Sequence, residues 1–535
     1  MLSYEFPLNL WVTPLLILLC IVLLYRFTTR NLDYWEKRNI PYVKPFPIVG
    51  SVIEYIREPL FQIEQRRHKK FGRIYGYFEG NRPLLAISDP ELLRQILVKD
   101  FHVFPERRTI VTGDKIVDKM MSLVTGEDWK RIRTIVTPTF TTGKLKRMMS
   151  IFKECAETLV ENFKAASKEG SPVEAKGIYG GYSMDVIASS AFSTKIDSHN
   201  DPENKFALTA RSVFRNDFSW RFILLFLFPK VVKWLRISIF PPKAIHFFRD
   251  VTLQIIEERK RTGQTRNDFL QLLMDTAKEV SNDPKSEFNE KESDDLASVY
   301  GEVSTNHQVF RGVTKKNLSM DELVAQCVIF FLAGYDSTAS TLAFATYMLA
   351  LNQDIQEKVH EEVIGALKGT GGRLTYEALQ NIKHLDNIIS ETLRLFPPGV
   401  RLERLAVSDY KLGDTGITIP KGMIVTVPAY AMHRDPELFT DPEKFDPDRF
   451  TPEERAKRDS YAYMPFGAGP RNCIGMRFAL MEIKVCLIYV IANFKINRCP
   501  ETKVPLEFMI ATGFLQPKAI TLALEQRKDN PLMNT

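Results

Sequence analysis

Apolar residues recur at three- and four-residue spacing over much of the chain, which is the period of a helix with a buried face. On this spacing we predict helices over 148–167, 250–278, 320–351, 353–366 and 383–396. The sequence shows no internal repeat and no second core. The pattern therefore predicts one globular domain that is mainly α-helical.

Two stretches depart from the helical pattern. Residues 73–90 contain two β-rich runs on either side of Gly80 and Asn81, which predicts a hairpin and therefore small β-sheets beside the helices. Residues 280–318 are polar and have no apolar period. We interpret this second stretch as a surface linker between helices rather than as a domain boundary.

Near the start of the chain, residues 8–25 form the nearly continuous apolar run LNLWVTPLLILLCIVLLY, which carries no charge. The run is just long enough to span a bilayer. A cleaved signal peptide is disfavoured because Glu5 is the only charge before the run. Basic residues follow it, and the positive-inside rule then places the rest of the chain in the cytosol. These residues are Arg26, Arg30, Lys37 and Arg38.

The segment after the apolar run contains Pro41, Pro45 and Pro47. Closely spaced prolines favour a stiff, extended connector. We therefore divide the chain into a transmembrane anchor at 1–30, a proline-rich linker at 31–50 and a catalytic domain at 51–535.

Composition narrows the class of protein. The chain has 535 residues, of which 44% are hydrophobic and 26% charged, as in an ordinary globular enzyme. Lys and Arg number 72 against 65 Asp and Glu, an excess of 7 that is spread along the chain. Nucleic acid is therefore not an expected partner. The six cysteines show no CxxC spacing, which disfavours zinc and a disulfide framework and fits a reducing compartment.

One cysteine, Cys473, lies in the stretch PFGAGPRNCIGMRFA, residues 465–479. Gly467, Gly469 and Pro470 predict a tight irregular loop before the thiol, and the apolar run from Ile474 predicts a helix after it. Backbone N–H groups at such a junction stabilise a thiolate, which is the form that binds metal. A buried, inert thiol is the alternative.

The predicted helix 320–351 is preceded by Ser319, which stands at capping-box spacing from Glu322. It contains AGYDST, residues 333–338, where a glycine costs about 1 kcal/mol relative to alanine in a helix. Gly334 indicates either a contact between helices or a groove over a cofactor. In the second interpretation, an acid and a hydroxyl beside the groove deliver protons. The residues concerned are Ala333, Gly334, Asp336, Ser337 and Thr338.

The sequence IISETLRLFPP places Glu391 and Arg394 three apart on one helical face, which allows an ion pair. Arg449 follows in FDPDRF, so that one glutamate could hold two arginines if the chain folds back.

Together, PFGAGPRNCIG, AGYDST, ETLR and FDPDRF resemble the cytochrome P-450 family, the haem-thiolate monooxygenases. The resemblance extends from the anchor to about Leu524. The stretches VRLERLA, CIGMRFAL and WKRIRTIVTPTFTTGKLK are most similar to the microsomal family-three (3A-like) branch. The resemblance implies the cytochrome P-450 fold with a single-pass N-terminal membrane anchor.

The resemblance also implies residue roles. Cys473 would be the thiolate axial ligand of haem b, with Phe466 packed near it. The haem propionates would be held by Arg107, Trp129, Arg133, Arg404 and Arg471. Glu391, Arg394 and Arg449 would be structural. The family usually has threonine directly after the acid of its long helix, where this chain has Ser337 and then Thr338. We assign the relay hydroxyl to Ser337 and expect Thr338 to bond back to a helix carbonyl.

For the whole protein, the resemblance implies a monooxygenase of the endoplasmic reticulum membrane whose catalytic domain faces the cytosol. It would insert one atom of O₂ into bulky lipophilic substrates such as xenobiotics, sterols or fatty acids. Electrons would come from NADPH through a reductase, with cytochrome b5 as a second candidate partner. A docking face for these partners is expected at Lys130, Arg131, Lys144, Lys146 and Arg147.

Two other functions remain alternatives at this stage. One is a haem-thiolate isomerase that acts on a lipid peroxide, and the other is a non-catalytic membrane haem-binding sensor. Residues 221–240 hold many large apolar groups, which indicates either a second contact with the lipid membrane or ordinary core packing.

Overall fold

α-Helices form most of the molecule. The computed structural model describes residues 9–108, 110–194, 196, 204–214, 220–238, 240–266, 268–278, 309–310, 317–510 and 513–532. Most of the predicted polar linker 280–318 lies outside the described residues.

The helices of the first half include the apolar N-terminal helix and a series of packed helices. They are α1 (Asn9–Thr29), α2 (Glu54–Arg57), α3 (Leu60–Phe71), α4 (Pro90–Arg94), α5 (Gly126–Val136), α6 (Thr142–Ala166), α7 (Ala175–Phe192), α8 (Lys205–Phe214), α9 (Trp220–Leu227), α10 (Pro229–Leu235), α11 (Pro242–Thr262) and α12 (Phe269–Lys278).

The helices of the second half begin with the longest helix of the described chain. They are α13 (Met320–Leu351), α14 (Gln353–Gly369), α15 (Tyr376–Asn381), α16 (Lys383–Leu395), α17 (Ala429–Met432), α18 (Pro452–Ala456) and α19 (Met476–Asn493).

In the described part of the chain, the strands are short and form three small sheets. They are β1 (Ile74–Glu79), β2 (Arg82–Ile87), β3 (Val173–Glu174), β4 (Leu402–Leu405), β5 (Tyr410–Lys411), β6 (Thr418–Ile419), β7 (Ile424–Val427), β8 (Phe494–Asn497) and β9 (Thr521–Gln526). The largest sheet has the order β1-β2-β7-β4, and the others are β3-β9-β8 and β5-β6.

The predicted hairpin is β1 and β2, which are antiparallel with Gly76 opposite Leu85. β7 joins β2 in parallel, with Leu85 opposite Val425. The prediction of a mainly α protein with small sheets is confirmed.

The predicted helix 250–278 is wrong as a single element. α11 ends at Thr262, and Gly263 follows with a φ of 67°. This left-handed conformation suits glycine and terminates the helix. Arg259 of α11 then donates from Nη1 to the carboxylate of Asp268 at 2.8 Å, just before α12 begins. The apolar period continues across the break because both helices face the same core.

Helix α13 begins and ends where the sequence predicted. Ser319 accepts from the N–H of Glu322, whose side chain accepts from the N–H of Ser319, so the capping box is complete. Among the described residues, two helices are long and apolar enough to cross a membrane, α1 and α13. The apolar window of α1 is 6% buried, whereas α13 is 72% buried in the protein. α13 is therefore the central core helix, and α1 is the candidate anchor.

The proline-rich segment 31–50 packs onto the large sheet instead of standing free as an extended connector. Trp35 is 1% exposed, and its Nε1 donates to the carbonyl of Tyr77 at 3.3 Å. A Cβ at Gly76 would lie 2.3 Å from the Trp35 ring, so only glycine fits there. The Val43 N–H donates to the Gly76 carbonyl at 2.9 Å. These contacts join the end of the anchor to the sheet.

Candidate functional site

The loop that carries Cys473 is fixed by glycines with left-handed backbone. Gly467 and Gly469 have φ angles of 74° and 71°. A Cβ at Gly469 would meet the carbonyl oxygen of Leu97 at 1.9 Å, so no other residue can replace it. The Cys473 N–H donates to the carbonyl of Phe466 at 2.9 Å, which closes the loop. α19 begins at Met476, directly after the loop, as the sequence predicted.

The thiol of Cys473 has an accessible surface although protein surrounds it. Burial raises its pKa, while a hydrogen bond with the Gly475 N–H and the guanidinium groups of Arg133 and Arg107 lower it. Cys327 and Cys486, by contrast, are fully buried. Burial raises the pKa of each above its usual value. Cys473 therefore differs from these two thiols in its accessible sulfur and in the N–H and two guanidinium groups that partly oppose the effect of burial on its pKa.

Four arginines converge near this loop, although they come from distant parts of the sequence. Arg107 donates to the carbonyl of Arg471 at 3.1 Å. Arg133 donates to the Asn472 carbonyl at 3.0 Å and to its side-chain oxygen at 2.7 Å. Arg404 donates to the Glu403 carbonyl at 2.9 Å. Arg471 donates from Nε to the Pro105 carbonyl at 2.8 Å.

Within the described chain, none of these four guanidinium groups forms an ion pair. Burial, together with the neighbouring Arg107 and Arg404, lowers the pKa of Arg471 to about 8. The same cause lowers the pKa of Arg404 to about 9 and that of Arg133 to about 10. The Nε of Arg404 is buried without a partner. A cluster of buried cations of this kind requires an anion, and the two carboxylates of a haem fit it.

Two further residues that the family resemblance assigned to the cofactor are Trp129 and Phe466, and each contacts other protein groups in the structure. The ring of Trp129 lies under the guanidinium of Arg471, 4.1 Å from its carbon, and so positions that arginine. Phe466 packs against the large core cluster and contacts the loop through its carbonyl.

Helix α13 opens on one face at its middle. Ala333 is exposed, and Gly334 and Ser337 are half-buried, in a helix whose other central residues are mostly buried. Ile329 and Phe330, one turn earlier, are half-buried too, so the opening follows one helical face. A Cβ at Gly334 would lie 2.7 Å from Cδ1 of Ile187 in α7. Gly334 therefore serves a contact between helices, and its place in a groove over a cofactor stays a prediction.

The acid of the motif is engaged by residues that the sequence did not indicate. Asp336 is 7% exposed, and its carboxylate accepts from Nε2 of Gln516 at 2.8 Å. Nζ of Lys176, at the start of α7, lies 3.3 Å from the other carboxylate oxygen. Because these partners lie far away in sequence, local pattern gave no signal of them.

Ser337, and not Thr338, makes the predicted bond back to a helix carbonyl. Ser337 donates back to the Ala333 carbonyl at 2.7 Å, which is the helix bond expected of Thr338. Thr338 is 2% exposed and contacts the carboxyl of Glu482 at 3.3 Å. The prediction for Thr338 is wrong because α19 brings an acid to its side of α13. The sequence did contain a signal for Glu482, because this residue is charged and lies in the apolar helix that follows Cys473.

Glu391 lies in the core with two arginines. Nε and Nη2 of Arg394 donate to its two carboxylate oxygens at 2.7 and 2.8 Å. Nε of Arg449 lies 3.5 Å from the carboxylate. Arg394 also donates to the His433 carbonyl at 2.8 Å. The group joins α16 to the chain that leads to the Cys473 loop.

The five basic residues proposed for docking differ in availability. Lys130 pairs with Glu127 at 2.8 Å, and Arg131 pairs with Glu322 at 2.6 Å. Lys146 and Arg147 are exposed at the start of α6, and Lys144 is half-buried beside them. Arg477 of α19 donates to Thr142 at 3.4 Å, which brings the start of α6 close to the Cys473 loop.

Comparison with known proteins shows the family of this chain. The family model described as Cytochrome P450 matches residues 40–299 and 304–522. Cytochrome P450 3A31 of Mesocricetus auratus is 39% identical over 512 residues, 95% of each chain. Cytochrome P450 3A9 of Rattus norvegicus is 38% identical over 520 residues, 96% of each chain. Cytochrome P450 3A5 of Homo sapiens is 38% identical over 522 residues, which is 96% of this chain and 97% of that protein. The chain therefore belongs to the cytochrome P450 family, the monooxygenases that carry haem b on a cysteine thiolate.

Proposed function

We propose that this chain is a reductase-dependent monooxygenase that oxidises bulky lipophilic compounds, with Cys473 as the ligand of the haem iron. The observation that carries the assignment is the accessible thiol of Cys473 on a loop with four guanidinium groups that have no ion-pair partner in the described chain. The family sets the class of reaction, and the site residues support the placement of the cofactor.

Each group of residues has a distinct task in this proposal. Arg107, Arg133, Arg404 and Arg471 hold the propionates, and Trp129 supports Arg471. The opening at Ala333 and Gly334 admits the face of the cofactor and the substrate beside α13. When bound, the haem supplies the oxygen chemistry, with electrons that NADPH provides through the reductase. Asp336 and Ser337 move protons toward that oxygen, a service typically worth 10² to 10⁴-fold in rate.

The test is reconstitution with purified reductase, NADPH and a mixed library of sterols, fatty acids and xenobiotics. A monooxygenase should consume NADPH and form hydroxylated or epoxidised products. A peroxide isomerase should convert a lipid hydroperoxide without NADPH or reductase. A haem-binding sensor should form no product in either assay. Retention of Asp336 with two adjacent hydroxyls favours the first outcome.

For the proton relay, we expect Ser337→Ala and Asp336→Asn to slow product formation and to divert NADPH electrons to hydrogen peroxide. Ser337 is half-buried beside the opening, whereas Thr338 is buried against α19. Ser337→Thr should keep or improve the ratio of product to NADPH because it retains the hydroxyl. The measurement is product, NADPH and peroxide in the same reaction.

Thr338→Ala is the comparison for this relay, and it should lower the ratio less than Ser337→Ala does. If Thr338→Ala uncouples the enzyme while Ser337→Ala leaves the ratio unchanged, the hydroxyl has been assigned one residue too early.

We also place the enzyme in the endoplasmic reticulum membrane, with α1 as its anchor and the remaining chain in the cytosol. Nδ2 of Asn81, in the β1–β2 turn, donates to the Phe27 carbonyl at 3.0 Å. Arg82 donates to the Phe226 carbonyl at 2.7 Å, which brings α9 to the same end of the sheet. On the adjoining α10, Trp234 is 80% exposed and Leu235 is 52% exposed. This end of the molecule therefore supports a second contact with lipid.

Removal of residues 1–25 should leave measurable binding to phospholipid vesicles, and Trp234→Asp with Leu235→Asp should abolish it. Phe226 is left in place because its ring packs against Tyr55 at 5.9 Å. Flotation with vesicles measures the binding. Leu253→Asp, at an exposed position of α11, is the matched control and should float like the truncated parent. A truncated parent that never floats would assign α10 to protein contacts alone.

Docking of the reductase is proposed at the exposed Lys146 and Arg147 with Lys144 beside them, because this group lies near the Cys473 loop and faces solvent. Basic side chains steer acidic partners and raise the rate of association. Cytochrome b5 is proposed as a second partner for the same face.

A further inference from the structure

A buried acid, Glu482, contacts two helices at the turn that carries the proposed relay. Glu482 lies on α19 and is 0% exposed. Its Oε1 is 3.1 Å from Oγ of Ser183 in α7. Its Oε2 is 3.3 Å from Oγ1 of Thr338 in α13. In the described chain it has no ion-pair partner.

A protonated carboxyl allows both contacts of Ser183 to be hydrogen bonds. Ser183 Oγ also lies 3.1 Å from the carbonyl oxygen of Gly334. A carbonyl can only accept, and a serine hydroxyl has one hydrogen to give. When the Ser183 hydrogen serves Gly334, the contact with Oε1 of Glu482 is a hydrogen bond only if Oε1 donates to Ser183. Only a protonated carboxyl can do so, while its second oxygen accepts from Thr338.

The surroundings agree with a neutral acid. Burial raises the pKa of Glu482 to about 8, and the bonds with Ser183 and Thr338 only partly oppose this. The other titratable groups that face it are Tyr182 of α7 and Cys486 of its own helix, with Cys155 of α6 beside them. Burial raises the pKa of Tyr182 and Cys486 well above their usual values, so both are neutral too.

The two ends of one helical turn are thus held from the same side. Gly334 and Thr338 are four residues apart, and Asp336 and Ser337 lie between them. We propose that neutral Glu482 is a positioning residue for this turn: it binds the Thr338 hydroxyl directly and the Gly334 carbonyl through Ser183, which leaves Ser337 as the relay hydroxyl. The role rests on the monooxygenase function proposed above.

Two substitutions separate positioning from mere packing. In Glu482→Gln the amide can donate to Ser183 and accept from Thr338, so the ratio of product to NADPH at pH 7 should stay within about twofold of wild type. In Glu482→Leu both hydroxyls lose their bond to residue 482, and the ratio should fall about tenfold because the relay is displaced. Cys486→Ala, one turn along α19, is the packing control and should leave the ratio unchanged.

The pH profile is the second readout. Above a pH of about 8 the wild-type carboxyl ionises. Ser183 must then donate to it and release Gly334, so coupling should fall above this pH. Glu482→Gln should show no such fall. If coupling falls equally in wild type and in Glu482→Gln, another group titrates and the role of the Glu482 proton is wrong. If Glu482→Leu and wild type couple equally well, the positioning role is overturned.

Two measurements test the neutral acid without turnover. Infrared difference spectra should show a protonated-carboxyl band in wild type that Glu482→Gln lacks. Unfolded glutamate ionises near 4.5, whereas folded Glu482 keeps its proton to about 8. Wild type should therefore lose thermal stability relative to Glu482→Gln as pH rises through that window. If wild type forms no product, the monooxygenase function fails, while the band and the melting difference still decide whether Glu482 is neutral. Absence of both overturns the inference.

Discussion

Cys473→Ala should abolish the strongly red-shifted absorption of the reduced carbon monoxide complex and all product formation. Cys473 is the described cysteine that combines an accessible thiol, a glycine-fixed loop and flanking guanidinium groups. Alanine removes the thiolate and leaves the loop backbone intact, because the closing bond to Phe466 is made by the N–H of residue 473. The measurement is the difference spectrum of the reduced protein with and without carbon monoxide.

Cys499→Ala is the matched control for this substitution. Cys499 is half-buried and its thiol lies 3.3 Å from the hydroxyl of Thr502. The control should keep the red-shifted band. A band that survives in Cys473→Ala and disappears in Cys499→Ala would show that Cys499, and not Cys473, is the haem ligand.

Glu391→Ala should lower the free energy of unfolding by about 3 to 5 kcal/mol, since it leaves a buried guanidinium without its anion. Glu391 and Arg394 are both 0% exposed. Glu391 also accepts from the Asp446 N–H at 2.8 Å, so its loss frees the chain that leads toward the Cys473 loop. Denaturant titration measures the stability, and the carbon monoxide spectrum reports whether the haem site survives.

Glu357→Gln provides the comparison at the surface. Glu357 pairs with Arg527 at 2.9 Å but is 41% exposed, so solvent screens the pair. Its loss should cost no more than about 1 kcal/mol. If Glu391→Ala were as mild as Glu357→Gln, Glu391 would not be a structural centre of the fold.

Local sequence predicted those features whose physical cause is local. The capping box at Ser319 and the unbroken apolar composition up to Leu351 are sufficient to define α13 to the residue. The uncharged run of α1 defined the candidate anchor by length and hydropathy. The glycines before Cys473 predicted the loop because their backbone angles are inaccessible to other residues.

The family resemblance selected the arginines, but their common location depends on tertiary structure. Arg107, Arg133, Arg404 and Arg471 lie on separate segments, and each one alone would be read as a surface charge. Folding places them where burial lowers the pKa of each guanidinium. Neither charge pattern nor periodicity predicts which distant segments come together when the chain folds.

The partners of the AGYDST turn show the same division. The sequence determined that an acid and two hydroxyls lie on one buried helix, but it did not determine which groups they contact. Packing of α19 and α7 against α13 assigned Thr338 to Glu482 and Asp336 to Lys176 and Gln516. Likewise, Gly263 ended α11 inside a continuous apolar period, and Trp35 drew the proline-rich segment onto the sheet. Periodicity reports which residues are buried, whereas the contacts of buried polar groups are decided only when separate elements pack together.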